Sequence, residues 1–214
     1  MRTIQRQPSP DCIAQQPAGQ DWGDFIGTPC HLSLTANLRQ EQQGLCCYCE
    51  SEVPSSEGHI EHIEPRRQNP VRCYDYANLA LSCDGGTAQH CGRYKDDRKK
   101  NPRHTWDTAR FSSPHDPATA SLLRYLPDDS ITPTAVDAPK ATWLIGYLGL
   151  DCPRLNERRK QHARDLIDTL GEQPDPAVVN WLRQDYLLAG ADGCLKQFQS
   201  LSKALLLANA ADPA

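Results

Sequence analysis

Two pairs of cysteines constrain this 214-residue chain more than any other feature. The first pair, Cys46 and Cys49, sits in Cys46-Cys47-Tyr48-Cys49; the second is Cys83 with Cys91. A Cys-x-x-Cys turn aims two thiolates at one tetrahedral ion, and with the second, widely spaced pair it makes a four-thiolate set suited to structural zinc. Cys91 opens a predicted helix, where the helix dipole favours a thiolate. A knuckle followed by a helix in this order is the treble-clef arrangement. Cys47 is a spare in the first pair, and His90 competes with Cys91. The competing reading is five unrelated buried cysteines.

The chain has ten cysteines, enough for a secreted disulfide framework. Met1 to Pro17 has Arg2 and Arg6 but no apolar stretch, so no signal peptide is expected, and a reducing cytoplasm is. Cys12, Cys30, Cys73, Cys152 and Cys194 then read as small buried hydrophobes. No run of about 18 apolar residues exists, so no membrane span is expected.

The organisation reads as an N-terminal arm (1–32), a core (33–105) and a mainly helical C-terminal region (106–214). Met1 to Thr28 is extended and rich in Gln, Pro and Gly, with Trp22 and Phe25 pinning it to the body. Ser33 to Gln43 is a predicted helix capped by Ser33 and stopped by Gly44. Leu45 to Glu50 and Gly58 to Ile63 are predicted strands joined by a loop, and Pro65 ends the second. Arg66 to Tyr76 is an irregular basic loop, Asn78 to Ser82 a short apolar stretch, Asp84 to Gln89 a loop, and Cys91 to Lys99 a helix. Beyond it, Ser121–Leu126 and Ser130–Val136 suggest a hairpin around Asp128 and Asp129. Four helices follow: Ala138–Leu148, Pro153–Leu170 with Asp151 near its start, one from Pro176 (capped by Asp175) to about Leu188, and a last one ending near Ala208. The fold class is α+β.

The formal net charge is −4, which excludes a generally basic, histone-like binder. The segment Ile60 to Arg103 is locally basic at +3, leaving −7 for the rest. Arg93, Lys95, Arg98, Lys99, Lys100 and Arg103 crowd one stretch, which suggests phosphate contact or a solvated helix face.

Between the cysteine pairs lies Gly58-His59-Ile60-Glu61-His62-Ile63-Glu64-Pro65, and before Cys83 comes Asn78-Leu79. An acidic residue, then His, Ile, one residue and Pro, then Asn-Leu before a Cys, resembles the HNH endonuclease pattern. Phosphodiester hydrolysis needs a base to activate water and a hard cation to hold phosphate oxygens. The resemblance implies that His62 is the base, Glu61 a metal ligand and Asn78 the residue tethering the loop and orienting His62. Glu61 and His62 are adjacent, so a regular strand would face them oppositely; a strand end near Pro65 resolves this. His59 shares the face of Glu61 and reads as surface or as a second ligand, with surface slightly preferred.

The match extends further. Gln42 to Glu50, Ile60 to Pro65, Asn78-Leu79, Ser82-Cys83, His90 to Lys95, Tyr147-Leu148-Gly149-Leu150 and Leu155 to Arg158 resemble the PtuB family, the HNH nucleases of Septu-type and retron-associated anti-phage systems. The resemblance implies a zinc-stabilised treble-clef ββα-metal (HNH) core, with structural zinc on Cys46, Cys49, Cys83 and Cys91 and catalytic magnesium or manganese at Glu61. It also implies a PtuA-like ATPase partner and, in some members, a reverse transcriptase with its RNA–DNA product. Lys95 and Arg93 are placed to neutralise phosphate.

There is one departure: where other HNH proteins carry a His, Asn or Asp after the last cysteine, this chain has Gly92. His90, Asp96, Asp97, His59 or water must then complete the site. No base-reading helix is present, so low sequence specificity on DNA or RNA is expected. Ala204 to Ala208 either docks a partner or closes the domain's own core. Two other functions compete with the nuclease. A catalytically inactive zinc treble-clef module would only bind nucleic acid or protein. A disulfide-rich extracellular protein is the weakest reading.

Overall fold

A computed structural model describes residues 1–17, 19–126, 128 and 130–208. Asp129 and the last six residues of the C-terminal region lie outside the described residues. The architecture is mixed α+β, with two small antiparallel sheets, and it is mainly helical after residue 137.

The N-terminal arm carries two one-turn helices, α1 (Asp11–Ala14) and α2 (Trp22–Phe25). Met1, Ile4, Ile13, Trp22 and Phe25 are buried in the main hydrophobic cluster. Cys12 and Cys30 are disulfide-bonded, which corrects their reading as independent buried hydrophobes. Helix α3 (Pro29–Glu41) starts four residues before the expected Ser33. The Thr28 side chain accepts from the His31 N–H and Pro29 stands at the first helical position, a stronger start than Ser33 offers.

The expected strand Leu45–Glu50 does not form. Leu45 makes one isolated bridge with Glu52, and Glu50 adopts φ +62°, so the cysteine knuckle bends the backbone out of the extended region. Strand β1 (His59–His62) pairs instead with β2 (Leu79–Ser82), antiparallel, with His59 opposite Ser82 and His62 opposite Leu79. The basic loop between them contains two short 3-10 turns, Pro70–Arg72 and Tyr76–Asn78. A distorted turn, α4 (Gly85–Ala88), leads into α5 (Cys91–Asp96). Helix α5 stops three residues before the expected Lys99, because the Asp97 carboxylate takes the N–H groups of Lys99 and Lys100 and turns the chain. The basic cluster is therefore split between a helix and a loop, not displayed as one stripe.

One turn of helix, α6 (Thr119–Leu122), replaces the first residues of the expected hairpin, whose strands are β3 (Leu123–Tyr125) and β4 (Ile131–Pro133). Helices α7 (Ala138–Leu148), α8 (Pro153–Leu170), α9 (Pro176–Leu187) and α10 (Gln199–Ala208) follow the expected bounds closely. Their ends are written locally. Asp137 and Asp175 accept N–H groups at the starts of α7 and α9, and Pro153 and Pro176 stand at helix starts. Gly149 ends α7 at φ +60°, where a Cβ would lie 2.7 Å from the Gln89 carbonyl oxygen. Leu34 and Leu38 of α3, Leu79 and Leu81 of β2, Leu144 and Leu148 of α7, Leu155 and Leu166 of α8, and Leu201 and Leu206 of α10 belong to one buried cluster. That cluster backs the sheet carrying the candidate site. No helix among the described residues is long and apolar enough to cross a membrane.

Candidate active site and metal cluster

The Sγ atoms of Cys46, Cys49, Cys83 and Cys91 lie within 4.8 Å of one another. Cys46 and Cys91 are 3.8 Å apart and Cys49 and Cys83 are 3.7 Å apart. A zinc ion about 2.3 Å from each thiolate in tetrahedral geometry requires sulfur–sulfur separations of about 3.8 Å, so the donor set fits zinc. The knuckle supplies the first two ligands, the end of β2 the third and the start of α5 the fourth. Cys47 is outside the cluster, and burial pushes its thiol well up. Burial likewise raises Cys91, while neighbouring thiols pull Cys46 well below the ordinary range against its own burial. His90 stays beside the cluster, with Nδ1 3.1 Å from Cys91 Sγ.

Strand β1 brings His59, Glu61 and His62 to a cleft of about 450 Å³ that also holds Trp22, Arg66, Gly92 and Arg93. His62 is the last residue of β1, which lets it and Glu61 line one cleft despite being adjacent. The His62 Nε2–H donates to the Cys73 carbonyl at 2.9 Å. A carbonyl only accepts, so the proton sits on Nε2 and the lone pair on Nδ1. Burial lowers the His62 pKa to about 4, and Trp22 packs edge-on against the ring at 4.4 Å.

Glu61 is 3% exposed. Its Oε1 receives the Tyr48 hydroxyl and faces the Lys95 ammonium, each at 3.1 Å. Burial would raise this carboxyl, but Lys95 and His59 outweigh it and hold the pKa below the usual range. Oε2 faces His59 Nε2 at 3.4 Å. His59 is therefore a cleft residue, where the sequence slightly favoured open surface.

Asn78 is fully buried and its side chain makes no hydrogen bond to His62. Its Oδ1 accepts from the Glu64 N–H, and its Nδ2 donates to the carbonyls of Glu64 and Arg72. It thereby ties the end of β1 to the loop whose next residue, Cys73, receives His62. Lys95 is 0% exposed and does not line the cleft. Its ammonium is engaged by the His62 carbonyl, Asp96 and Glu61, so it faces the protein and not a phosphate. Arg93 is half-exposed and pairs with Asp84.

Gly92 has a steric explanation. A Cβ at this position would collide with Glu61 Oε2 and lie 2.9 Å from His59 Nε2. The absent side chain makes room for these two donors. Of the other residues considered for the missing ligand, Asp96 and Asp97 line the cleft, with Asp96 bonded to Lys95 and Asp97 capping the turn that follows. Among the described residues, the cysteine cluster is the one group of three or more His, Cys, Asp or Glu able to converge on an ion.

Sequence reasoning missed three contributors: the Cys73 carbonyl, Trp22 and Tyr48. Tyr48 lay inside the quoted knuckle motif. A backbone carbonyl has no side-chain signature, and the pairing of Trp22 with His62 spans forty residues of chain.

No protein-family model matches this chain. Over 139 residues it is 32% identical to a protein of Vibrio cholerae serotype O1 biovar El Tor, provisionally named as the HNH endonuclease of retron Vc95. The match covers 61% of this chain and 63% of the Vibrio protein, less than two thirds of its length.

Proposed function

We propose that this protein is a metal-dependent HNH endonuclease that hydrolyses phosphodiester bonds in DNA or RNA, on a zinc-stabilised treble-clef ββα-metal core. The observation that carries the reading is the pinned imidazole. With Nε2–H committed to the Cys73 carbonyl, Nδ1 is the nitrogen left to act as a base, and His62 lines the same cleft as an ionised Glu61. The name of the Vibrio relative supports the same activity.

The cleft residues fit a hard divalent cation. Glu61 Oε2 and His59 Nε2 are 3.4 Å apart, close to the roughly 3 Å between adjacent ligands on an octahedral magnesium ion. Gly92 leaves the space that Glu61 Oε2 and His59 Nε2 occupy at the cleft wall. Glu61 and His59 would hold magnesium or manganese, which would supply a Lewis acid for the phosphate and leaving oxygens. His62 Nδ1 accepts the proton of the attacking water, and the Nε2–H bond to Cys73 holds the ring and stabilises its charged form. Lys95 and His59 keep Glu61 ionised, and the Tyr48 hydroxyl fixes its Oε1.

The wider reading is a cytoplasmic PtuB-type effector of anti-phage defence, restrained by a PtuA-like ATPase and in some systems linked to a reverse transcriptase and its RNA–DNA product. A second reading, a zinc module that binds without cutting, has one observation in its favour. Glu61 Oε1 is already engaged by Lys95 and Tyr48, which leaves one carboxylate oxygen for a cation.

The deciding assay is cleavage of DNA and RNA in magnesium or manganese, with and without the ATPase, for wild type beside His62→Ala. Loss of about 10²- to 10⁴-fold in rate with retained fold is expected. Unchanged cleavage by the variant would sink the nuclease assignment, and an inert wild type in every condition would favour the binding module.

A further inference from the structure

Beside the candidate cleft lies a larger pocket of about 720 Å³, walled by residues of the stretches 13–17 and 19–22 and of the loop 70–75. This volume is within the 300–1,000 Å³ range of small-molecule sites. Trp22 and Arg66 line both the pocket and the cleft of Glu61 and His62, so the two adjoin across these side chains. The Cys12–Cys30 disulfide closes the stretch of chain that carries Gln20 and Trp22.

Three features of the pocket point to one ligand chemistry. Tyr74 is half-buried and its ring is held in place. It packs at 5.5 Å from Trp22 and 5.3 Å from Phe25, and its hydroxyl donates to the carbonyls of Gln20 and Asp21. A fixed, partly open aromatic face is a stacking platform. Gln20 Oε1 is buried without a hydrogen-bond partner, an acceptor that a donor from a ligand would satisfy. Arg66 is exposed, makes no ion pair among the described residues, and holds its guanidinium 5.6 Å from the Trp22 ring on the shared wall.

The two carboxylates that line the pocket argue against an anion inside it. Asp21 caps the Gly23 N–H and Asp75 pairs with Arg72. Phosphate belongs at Arg66, between pocket and cleft, and an uncharged flat group belongs inside.

On the nuclease reading above, we infer that this pocket receives the unpaired base of a nucleotide flanking the bond to be cut. Tyr74 stacks on that base, Gln20 Oε1 accepts from an exocyclic amino group, and Arg66 holds the intervening phosphate. The site makes single strands better substrates than duplexes, because a paired base cannot enter. It favours adenine, cytosine or guanine over thymine or uracil, which carry no amino group.

The test has a binding arm and a cleavage arm. In the first, His62→Ala protein is titrated with short single-stranded homopolymers of each base and with a duplex, with fluorescence anisotropy as the readout. The same titration is run in the Gln20→Ala, Arg66→Gln and Tyr74→Ala backgrounds. Tyr74→Ala should weaken binding about tenfold. Gln20→Ala, at a half-buried loop position, should instead flatten the preference for amino-bearing bases. Arg66→Gln should weaken all sequences alike and reduce the salt dependence. Equal affinity for all four homopolymers and the duplex, unmoved by Gln20→Ala and Tyr74→Ala, overturns the inference.

The cleavage arm compares wild type with Gln20→Ala on the same strands, in the complex with the ATPase if activity requires it. Cleavage that depends on His62 but shows no base preference overturns the pocket assignment alone. Cleavage independent of His62 overturns the nuclease reading, and the binding arm still reports on the pocket.

Discussion

The region around the candidate site and the helical region behind it are held together differently. The first relies on four-residue strands and a six-residue helix; the second has helices of 11, 18, 12 and 10 residues. Short elements bury little apolar area, so the site region leans on specific ties. Gln42 bonds the carbonyls of Leu45 and Leu81 and the Leu81 N–H. Asn101 bonds the carbonyls of Lys95 and Tyr147. Asn78 and Lys95 make the ties described above, and the four thiolates close the set. The helical region places Leu144, Leu148, Leu155, Leu166, Leu201 and Leu206 in its core. Polar ties and a cysteine set able to hold a metal fix positions in a way apolar packing does not.

Removing the metal should break this contrast most strongly. Structural zinc contributes on the order of 10–16 kcal/mol in small zinc domains. Chelation, or Cys49→Ser, should therefore abolish amide-exchange protection across β1, β2 and α5 while the buried positions of α7 and α8 keep more of theirs. Equal loss in both regions would show that they unfold as one unit.

A pair of substitutions sharpens the comparison at the next scale. Leu166→Ala in the helical core should cost about 2–5 kcal/mol through the cavity it leaves. Asn78→Ala should cost about 2–3 kcal/mol through orphaned backbone groups. Urea unfolding gives both numbers. Only Asn78→Ala should also depress cleavage, because the loop holding the Cys73 carbonyl loses its tie.

Burial lowers His62 and His115 to about 4 as well, so a variant at His162 is needed to isolate the helical side's share of the acid response. Burial lowers the His162 pKa to about 4, with its Nε2 2.7 Å from the Ser202 hydroxyl. The unfolded chain takes up this proton near pH 6.5 and the folded chain only near 4. The contribution is therefore complete above about 6.5 and is lost as pH falls toward 4, by at most about 3 kcal/mol. His162→Gln should flatten the fall of the thermal midpoint between pH 7 and 5, and a slope equal to wild type would refute the assignment. The smallest expected effect is Asp137→Ala, which removes the α7 cap and should cost about 1 kcal/mol without altering cleavage.

The parts legible in the sequence were those written in neighbouring residues. Pro153, Asp175 and Pro176 marked helix starts in α8 and α9 because capping acts over three or four positions. The spacing of Cys46, Cys49, Cys83 and Cys91 announced a ligand set because a metal ion admits few geometries. The partner of β1 was hidden, since a four-residue strand carries no register of its own. The disulfide of Cys12 with Cys30 was hidden as well, because both cysteines looked isolated along the chain.

The sequence by itself determined the residue types of the chemistry: four thiols in two pairs, Glu61 beside His62, Asn78 ahead of Leu79, and glycine at 92. Tertiary structure alone decided their roles. It set His62 Nε2 on a loop carbonyl, turned Lys95 inward to Glu61, and filled the space over Gly92 with Glu61 and His59. The physical reason is that a side chain's direction and partners depend on backbone brought together from distant segments, while its chemistry travels with the residue.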